Sequence, residues 1–332
     1  MTSSARPRAA AALRDIQAPV RDRLDAVSGE LARIVAGDLG LVREVNAHLT
    51  GMKGKMFRPT LVLLSSTVEE RPEPRAVPIA AALEALHLAT LVHDDAVDHS
   101  VLRRGMPTVN ALFSHQVAVL MGDFLYARAL SELVRLNDWD VARIFADAST
   151  QMTVGEMRQL GALDALAFSE ADYDQLIGAK TASLFRAACE LGALCGAADH
   201  REPLARYGEK LGMAFQVVDD LLDYTEDAEV TGKPSGLDLR EHKVTLPLIA
   251  ALPEFDAAAR RRVEALFATA DPDDGQVAEV IALVARHGGL GYARRQGEVR
   301  AREAEDALAT LPDTPARAAL LDAIGYVMER RA

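Results

Sequence analysis

Apolar residues recur at three- and four-residue intervals along most of the chain, the spacing of one face of an α-helix. The stretch "APVRDRLDAVSGELARIVA" (18–36) shows the pattern plainly. It continues, in places as near-continuous apolar runs, over 59–68, 78–98, 115–136, 139–163, 170–196 and 201–224. No period-two run bounded by turn residues stands out, so no strand is required. Polar breaks separate the helical stretches. "EERPEPRAVP" (69–78) is a Pro-rich connector, and "TEDAEVTGKPSGLDLREHK" (225–243) is a polar loop of a length that is usually functional or disordered. "ALPEFD", "ATADPDDGQ" and "TLPDTP" divide the last third into shorter, peripheral helices. The pattern predicts an all-α protein with one domain over residues 1–332 and a flexible tail over 1–15.

Composition narrows this further. Apolar residues make up 49% of the 332 positions and aromatics only 5%, with Ala and Leu ahead of Val, Ile and Thr, which favours helix over sheet. The formal charge of −12 argues against a nucleic-acid partner, because phosphate neutralisation needs a basic face. An anionic ligand would have to meet a local basic patch. Cys189 and Cys195 fit no common metal spacing and read as buried residues in a reducing compartment. No run approaches the ~20 apolar residues of a membrane span, and the expectation is a soluble cytoplasmic protein.

Two acid clusters carry the candidate chemistry. In "LVHDDAVDHSVLRRG" (91–105), Asp94 and Asp98 stand four residues apart, on one helix face, with Asp95 beside them. In "VVDDLLDY", Asp219 and Asp223 repeat that spacing around Asp220. Carboxylates crowded within one turn repel unless cations compensate. Oxygen-only ligands on rigid helices suit Mg²⁺, which completes its shell with waters and substrate phosphates. Cations cluster in sequence near these acids: Arg103 and Arg104 after the first, Lys55 and Arg58 in "GKMFRP", Lys180 with Thr181 in "GAKTASLF", and Lys233 and Lys243 in the polar loop. Together they could clamp phosphate groups. Pro59 could open a helix at its first position. No Ser–His–Asp order, HExxH, P-loop or dinucleotide fingerprint is present. Six carboxylates and several cations without a nucleophile suggest a bound diphosphate whose departure is the chemistry.

At this point the chain resembles the trans-isoprenyl diphosphate synthases, the polyprenyl synthetase family. The likeness runs from about residue 50 to 250 in ordered blocks: "GKMFRP", "EALHLATLVHDDAVDHSVLRRGMPT", "GDFLYARAL", "GEMRQL", "GAKTASLF", "FQVVDDLLDY" and "GKPSGLDLREHKVTLPLI". The resemblance implies antiparallel helices around a deep central cavity, in a homodimer. It implies Asp94, Asp98 and Asp219 as primary ligands of about three Mg²⁺ ions, with Asp95, Asp220 and Asp223 as weaker partners. It gives Arg103, Lys180, Thr181, Gln216, Lys233 and Lys243 to an allylic prenyl diphosphate, and Lys55, Arg58, His87 and Arg104 to isopentenyl diphosphate. Arg103 and Lys180 also serve the departing group. The residues agree with this reading. Gln216 lies three before Asp219, and His87 lies seven before Asp94, roughly 10 Å deeper on one face.

The family's usual "GGKRxRP" reads "KGKMFRP" here, so Met56 replaces an arginine and Lys53 a glycine. Either Lys53 substitutes in part, or the side chain at 56 is not essential to the grip. In this family, product length depends on side chains just upstream of the first aspartate. Ala89 and Thr90 occupy those positions and are small, which predicts a deep pocket and an all-trans product of about C30–C50, with geranylgeranyl as the fallback. Leu120, Met121 or Phe124 would set the floor. A class I terpene cyclase would mix Asn, Ser or Thr and Glu into its second metal motif, unlike "DDLLD". A non-catalytic subunit of a heteromeric synthase would have lost acids or the lysine matching Lys180.

Overall fold

The computed structural model describes residues 12–52, 54–160, 165–225 and 235–330. Helices dominate. The N-terminal part contains α1 (Leu13–Gln17), α2 (Arg21–Val35), α3 (Gly40–Gly51), α4 (Phe57–Ser66) and α5 (Ala76–Val97). Then come α6 (Val109–Leu112), α7 (His115–Arg135), α8 (Trp139–Leu160), α9 (Glu170–Ile177), α10 (Ser183–Leu194) and α11 (Arg201–Thr225). The last third holds α12 (Leu237–Arg240), α13 (Leu246–Ala251), α14 (Ala257–Phe267), α15 (Asp274–Arg286), α16 (Gly289–Ala307) and α17 (Pro315–Glu329). Of the tail expected over 1–15, residues 1–11 lie outside those described. Leu13–Asp15 are helical because Ile16, one position on, is fully buried and anchors the turn.

α5 is the axis of the bundle. It is apolar on every side, so it has no solvent face to offer and packs against α2, α4, α7 and α10. By length and composition it is also apolar enough to cross a membrane, contrary to the sequence expectation. Here that apolarity is consumed by the core, and the helix ends in carboxylates. Its C-cap is Asp98, followed by His99 at φ 52°, which stops the helix. A short antiparallel hairpin follows, pairing β1 (Leu102–Arg103) with β2 (Met106–Pro107). Arg104 (φ 52°) and Gly105 (φ 74°) form its two-residue turn in the left-handed region that tight hairpins demand. Strands of two residues carry no readable period, so this hairpin left no pattern.

α4 begins at Phe57 and not at Pro59, which falls in the first turn, where a missing N–H costs nothing. α3 had no counterpart in the hydrophobic pattern: only Val45 and Leu49 are buried in it. The last third is not all peripheral. α16 runs along α11, and its small residues Ala293, Gly297, Ala301 and Ala304 form a stripe that lets the two backbones approach.

Candidate active site

The two acid clusters end on one cavity. α5 brings Asp94 and Asp98 to it, and α11 brings Asp219, Asp220 and Asp223 from the opposite wall. The cavity, about 1350 Å³, is polar at this rim and apolar toward its base.

The six aspartates are not equivalent. Asp94, Asp98, Asp219, Asp220 and Asp223 line the cavity, and Asp95 does not. Asp95 is buried and receives both bonds of Arg103 Nε at 2.9 and 2.8 Å, so it orients that arginine. Asp220 is buried between Tyr173 Oη, which donates at 2.5 Å, and Gln216 Nε2, which donates at 2.8 Å. Asp223 accepts from the backbone N–H groups of Leu237 and Asp238 at 3.0 and 3.1 Å, fixing the start of α12. Burial pushes the Asp94 carboxyl up to about 6, with Glu156 adding to it, and burial pushes Asp220 up to about 7. Asp238 is raised as well, by burial and by Asp220 and Asp223. Burial is the leading cause at all three carboxyls, and neighbouring acids add to it.

Each expected cation in the described residues is placed at this rim, and Arg103, Lys180 and Lys243 hold carboxylates. Lys180 Nζ pairs with Glu156 at 2.6 Å and donates to Gln159 at 3.1 Å. Lys243 Nζ lies 2.7 Å from Glu241 and 3.7 Å from Asp98. Thr181 Oγ1 donates to Gln216 Oε1 at 2.7 Å, which links it through Gln216 to Asp220. Lys55, Arg58, His87 and Arg104 form a second cationic wall. Arg58 stacks over Phe185 at 4.8 Å and donates to His87 Nε2 at 2.9 Å. Burial and then Arg58 hold His87 well below the usual imidazole range, so it stays neutral and accepts that bond. Behind this wall sits Glu84, a buried carboxylate raised by burial and countered by Arg58 and Arg104. Lys53 and Lys233 lie outside the described residues.

A π-helical turn, Gly178–Ala182, presents Lys180 and Thr181. Such turns insert one residue into a helix and are frequent at functional sites. α8 presses close against it: a Cβ on Gly155 would stand 3.0 Å from the backbone nitrogen of Lys180.

Ala89 and Thr90 do line the cavity below Asp94. The expected floor residues do not. Leu120 is exposed, Met121 belongs to the core, and Phe124 packs toward Gly37. α7 turns Asp123 and Tyr126 inward instead, with the Tyr126 ring 5.9 Å from Phe145. Met56 packs against the core and does not line the cavity. Several further rim residues were not singled out in the sequence. Glu156 and Gln159 lie in the block "GEMRQL", and Asp238 and Glu241 in "GLDLREHK", so their signal was present. Arg330 had none. Its Nη2 bonds Asp219 at 2.6 Å while its guanidinium lies 3.8 Å from the Phe215 ring.

The donor set fits Mg²⁺. It offers carboxylate oxygens from two helices, although among the described residues no group of three acidic, His or Cys side chains is drawn together as a metal site by itself. Mg²⁺ commonly takes only one or two protein carboxylates and completes its shell with water and substrate phosphate, which suits such a spread donor set.

With this geometry in place, the comparisons with known proteins are specific. The chain matches the polyprenyl synthetase family over residues 40–284. It is 39% identical, across 95% of its length and 97% of the relative's, to the all-trans-nonaprenyl-diphosphate synthase (geranyl-diphosphate specific) of Rhodobacter capsulatus. It is 35% identical to the octaprenyl diphosphate synthase of Escherichia coli, over 92% of this chain and 94% of that one. The crystal structure of a Caulobacter crescentus polyprenyl synthase, complexed with calcium and isoprenyl diphosphate, superposes with a TM-score of 0.93 at 32% identity, covering 98% of this chain and all of the other. Motif order, an all-helical cavity with carboxylates facing across it, and similarity over nearly the whole chain agree, and the chain belongs to the polyprenyl synthetase family.

Proposed function

We propose that the protein condenses isopentenyl diphosphate head-to-tail onto an allylic prenyl diphosphate and repeats the step to an all-trans product of about C40–C45, the lengths in its relatives' names. The observation that carries this is the cavity itself: two cationic walls and facing aspartates at the rim, above an apolar shaft whose upper positions are Ala89 and Thr90.

Asp94, Asp98 and Asp219 would hold Mg²⁺, with Asp223 contributing; Asp95 and Asp220 act by orienting Arg103 and Gln216. Bound Mg²⁺ would neutralise charge growing on the departing diphosphate. The calcium in the Caulobacter complex supports a divalent ion in this fold. Lys180 and Lys243 exchange their present carboxylate partners for oxygens of the allylic diphosphate, and Arg103, held by Asp95 through Nε, offers its remaining N–H groups to the same diphosphate. Lys55, Arg58 and Arg104 orient isopentenyl diphosphate, so that its double bond faces the carbon from which the diphosphate leaves. The C–O bond breaks, the new C–C bond forms, and one proton departs to the released diphosphate. The apolar shaft keeps water from the cationic carbon.

Purified protein given Mg²⁺, isopentenyl diphosphate and allylic primers of several lengths should yield mainly C40–C45 products by chromatography. A mainly C15–C20 product would overturn the length, and no product with any primer would overturn the activity.

We also infer a homodimer. α7 and α8 expose Leu120, Val134, Trp139 and Val154, none of which lines the cavity, with Trp139 85% exposed. An apolar face along two neighbouring helices suits a second copy. Light scattering should give twice the chain mass, and Leu120→Asp with Val154→Asp should halve it. A monomeric native protein would refute the inference.

A further inference from the structure

The loop that delivers Lys55 to the cavity rests on unfavourable backbone. Met56 holds φ 50°, ψ 35°, the left-handed region that residues with a Cβ adopt at a cost. Its neighbours must hold it there. Gln17, the last residue of α1, is 8% exposed and lies directly against this loop. Its side-chain amide donates to the Lys55 carbonyl at 3.1 Å and to Thr60 Oγ1 at 3.1 Å. Thr60 is fully buried and donates from Oγ1 to the Met56 carbonyl at 2.7 Å. Two successive carbonyls are therefore fixed from one side chain, the first directly and the second through Thr60.

We propose that Gln17 is a positioning residue for isopentenyl diphosphate binding. It acts through the backbone of Lys55 and Met56, setting the direction in which the Lys55 ammonium enters the cavity. The inference rests on the reading of Lys55 as an isopentenyl diphosphate contact. Arg58 does not share the dependence, because it lies inside α4 and is held by His87 and Phe185. The allylic wall does not share it either: Arg103 is oriented by Asp95, and Lys180 by Glu156. The expected signature is accordingly narrow. α1 carries no cavity-lining residue, and nothing in "LRDIQ" marks the role.

Gln17→Met keeps the length of the side chain and removes both donors, and Thr60→Val removes the relay while leaving Gln17 in place. Each should raise KM for isopentenyl diphosphate, Gln17→Met by about tenfold, as expected for losing two ordinary hydrogen bonds around one contact. For both variants kcat and KM for the allylic substrate should stay within about twofold of the parent. Lys55→Ala supplies the control. In that background Gln17→Met should add nothing, because its effect passes through Lys55. Equal losses for both substrates, or a further rise in the Lys55→Ala background, would show a general packing role and overturn the proposal. If Lys55→Ala raises KM while Gln17→Met and Thr60→Val do not, the positioning role alone fails. If Lys55→Ala leaves KM unchanged, the reading of Lys55 fails and the proposal with it.

Discussion

Thr90→Phe tests the direction of the growing chain. Thr90 stands one helical turn, about 6 Å, below Asp94 on the same face of α5 and borders the cavity. It is only half-buried, so a ring there extends into open space and meets less of the overpacking that would follow at Ala89, which is 2% exposed. A phenyl group would close the shaft to the next isoprene unit. That unit carries five carbons, and leaving them in water in place of the shaft forfeits about 4 kcal/mol at ~0.8 kcal/mol per carbon. About 4 kcal/mol is close to a thousandfold on the next elongation step relative to product release. Termination should then be abrupt, with C15–C20 replacing the parent's products while the first condensation proceeds at near-parental rate. Radiolabelled isopentenyl diphosphate with reversed-phase separation reads the distribution, and a thermal melt within a few degrees of the parent excludes misfolding. An unchanged distribution from a folded variant would mean that the tail does not pass Thr90, and the reading of the apolar shaft would be wrong.

Other consequences are as direct. Tyr126→Ala should lengthen the product by at least one isoprene unit, because Tyr126 is the aromatic side chain that α7 turns into the cavity; products no longer than the parent's would rule it out as part of the floor. Arg330→Gln should tighten Mn²⁺ binding to the substrate-free protein by up to about fivefold, since the cation would no longer displace a guanidinium from half-exposed Asp219 in a pair worth ~1 kcal/mol; paramagnetic resonance titration measures this, and unchanged affinity contradicts it. His87 is partly buried and held neutral, by burial and then by Arg58, with a folded-state value below the ordinary 6.5. Its contribution is complete above about pH 6.5 and is lost as pH falls below that, by at most ~1.4 kcal/mol per pH unit. Urea melts at pH 7.5 and 5.5 should therefore show a larger acid loss in the parent than in His87→Asn, and equal losses would refute the assignment.

The helical class and the pairing of the two acid clusters were legible because each is written in local spacing. α5 and α11 read as helices from their apolar runs, and a four-residue interval places two carboxylates on one face whatever the tertiary fold. What was not legible depends on distance. Arg330 reaches Asp219 across 111 residues, and no local feature of "VMERRA" anticipates it. The resemblance ranked Asp95 and Asp220 as weaker partners, but what occupies them was equally hidden in local spacing: Arg103 in one case, Tyr173 and Gln216 in the other. The floor was misread for a related reason. Choosing among Leu120, Met121 and Phe124 needs the rotation of α7 about its axis, which packing on α5 decides and a short apolar stretch does not reveal. Apolar content alone also misrepresents α5, whose membrane-like composition is a property of its central place in the bundle.

The π-helical turn at Gly178–Ala182 has a consequence for how the chain can vary. Its extra residue sets a phase between α9 and α10. On the α9 side, Tyr173 meets Asp220, Asp174 meets Arg300, and Glu170 meets Tyr292, all on α11 or α16. On the α10 side, Phe185 packs beneath Arg58 and against Phe57. Deleting one residue from the turn would restore a regular helix and wind α9 by about 100° relative to α10. All three α9 contacts would go together, though no contacting residue had changed. This segment should tolerate changes of side chain far better than changes of length.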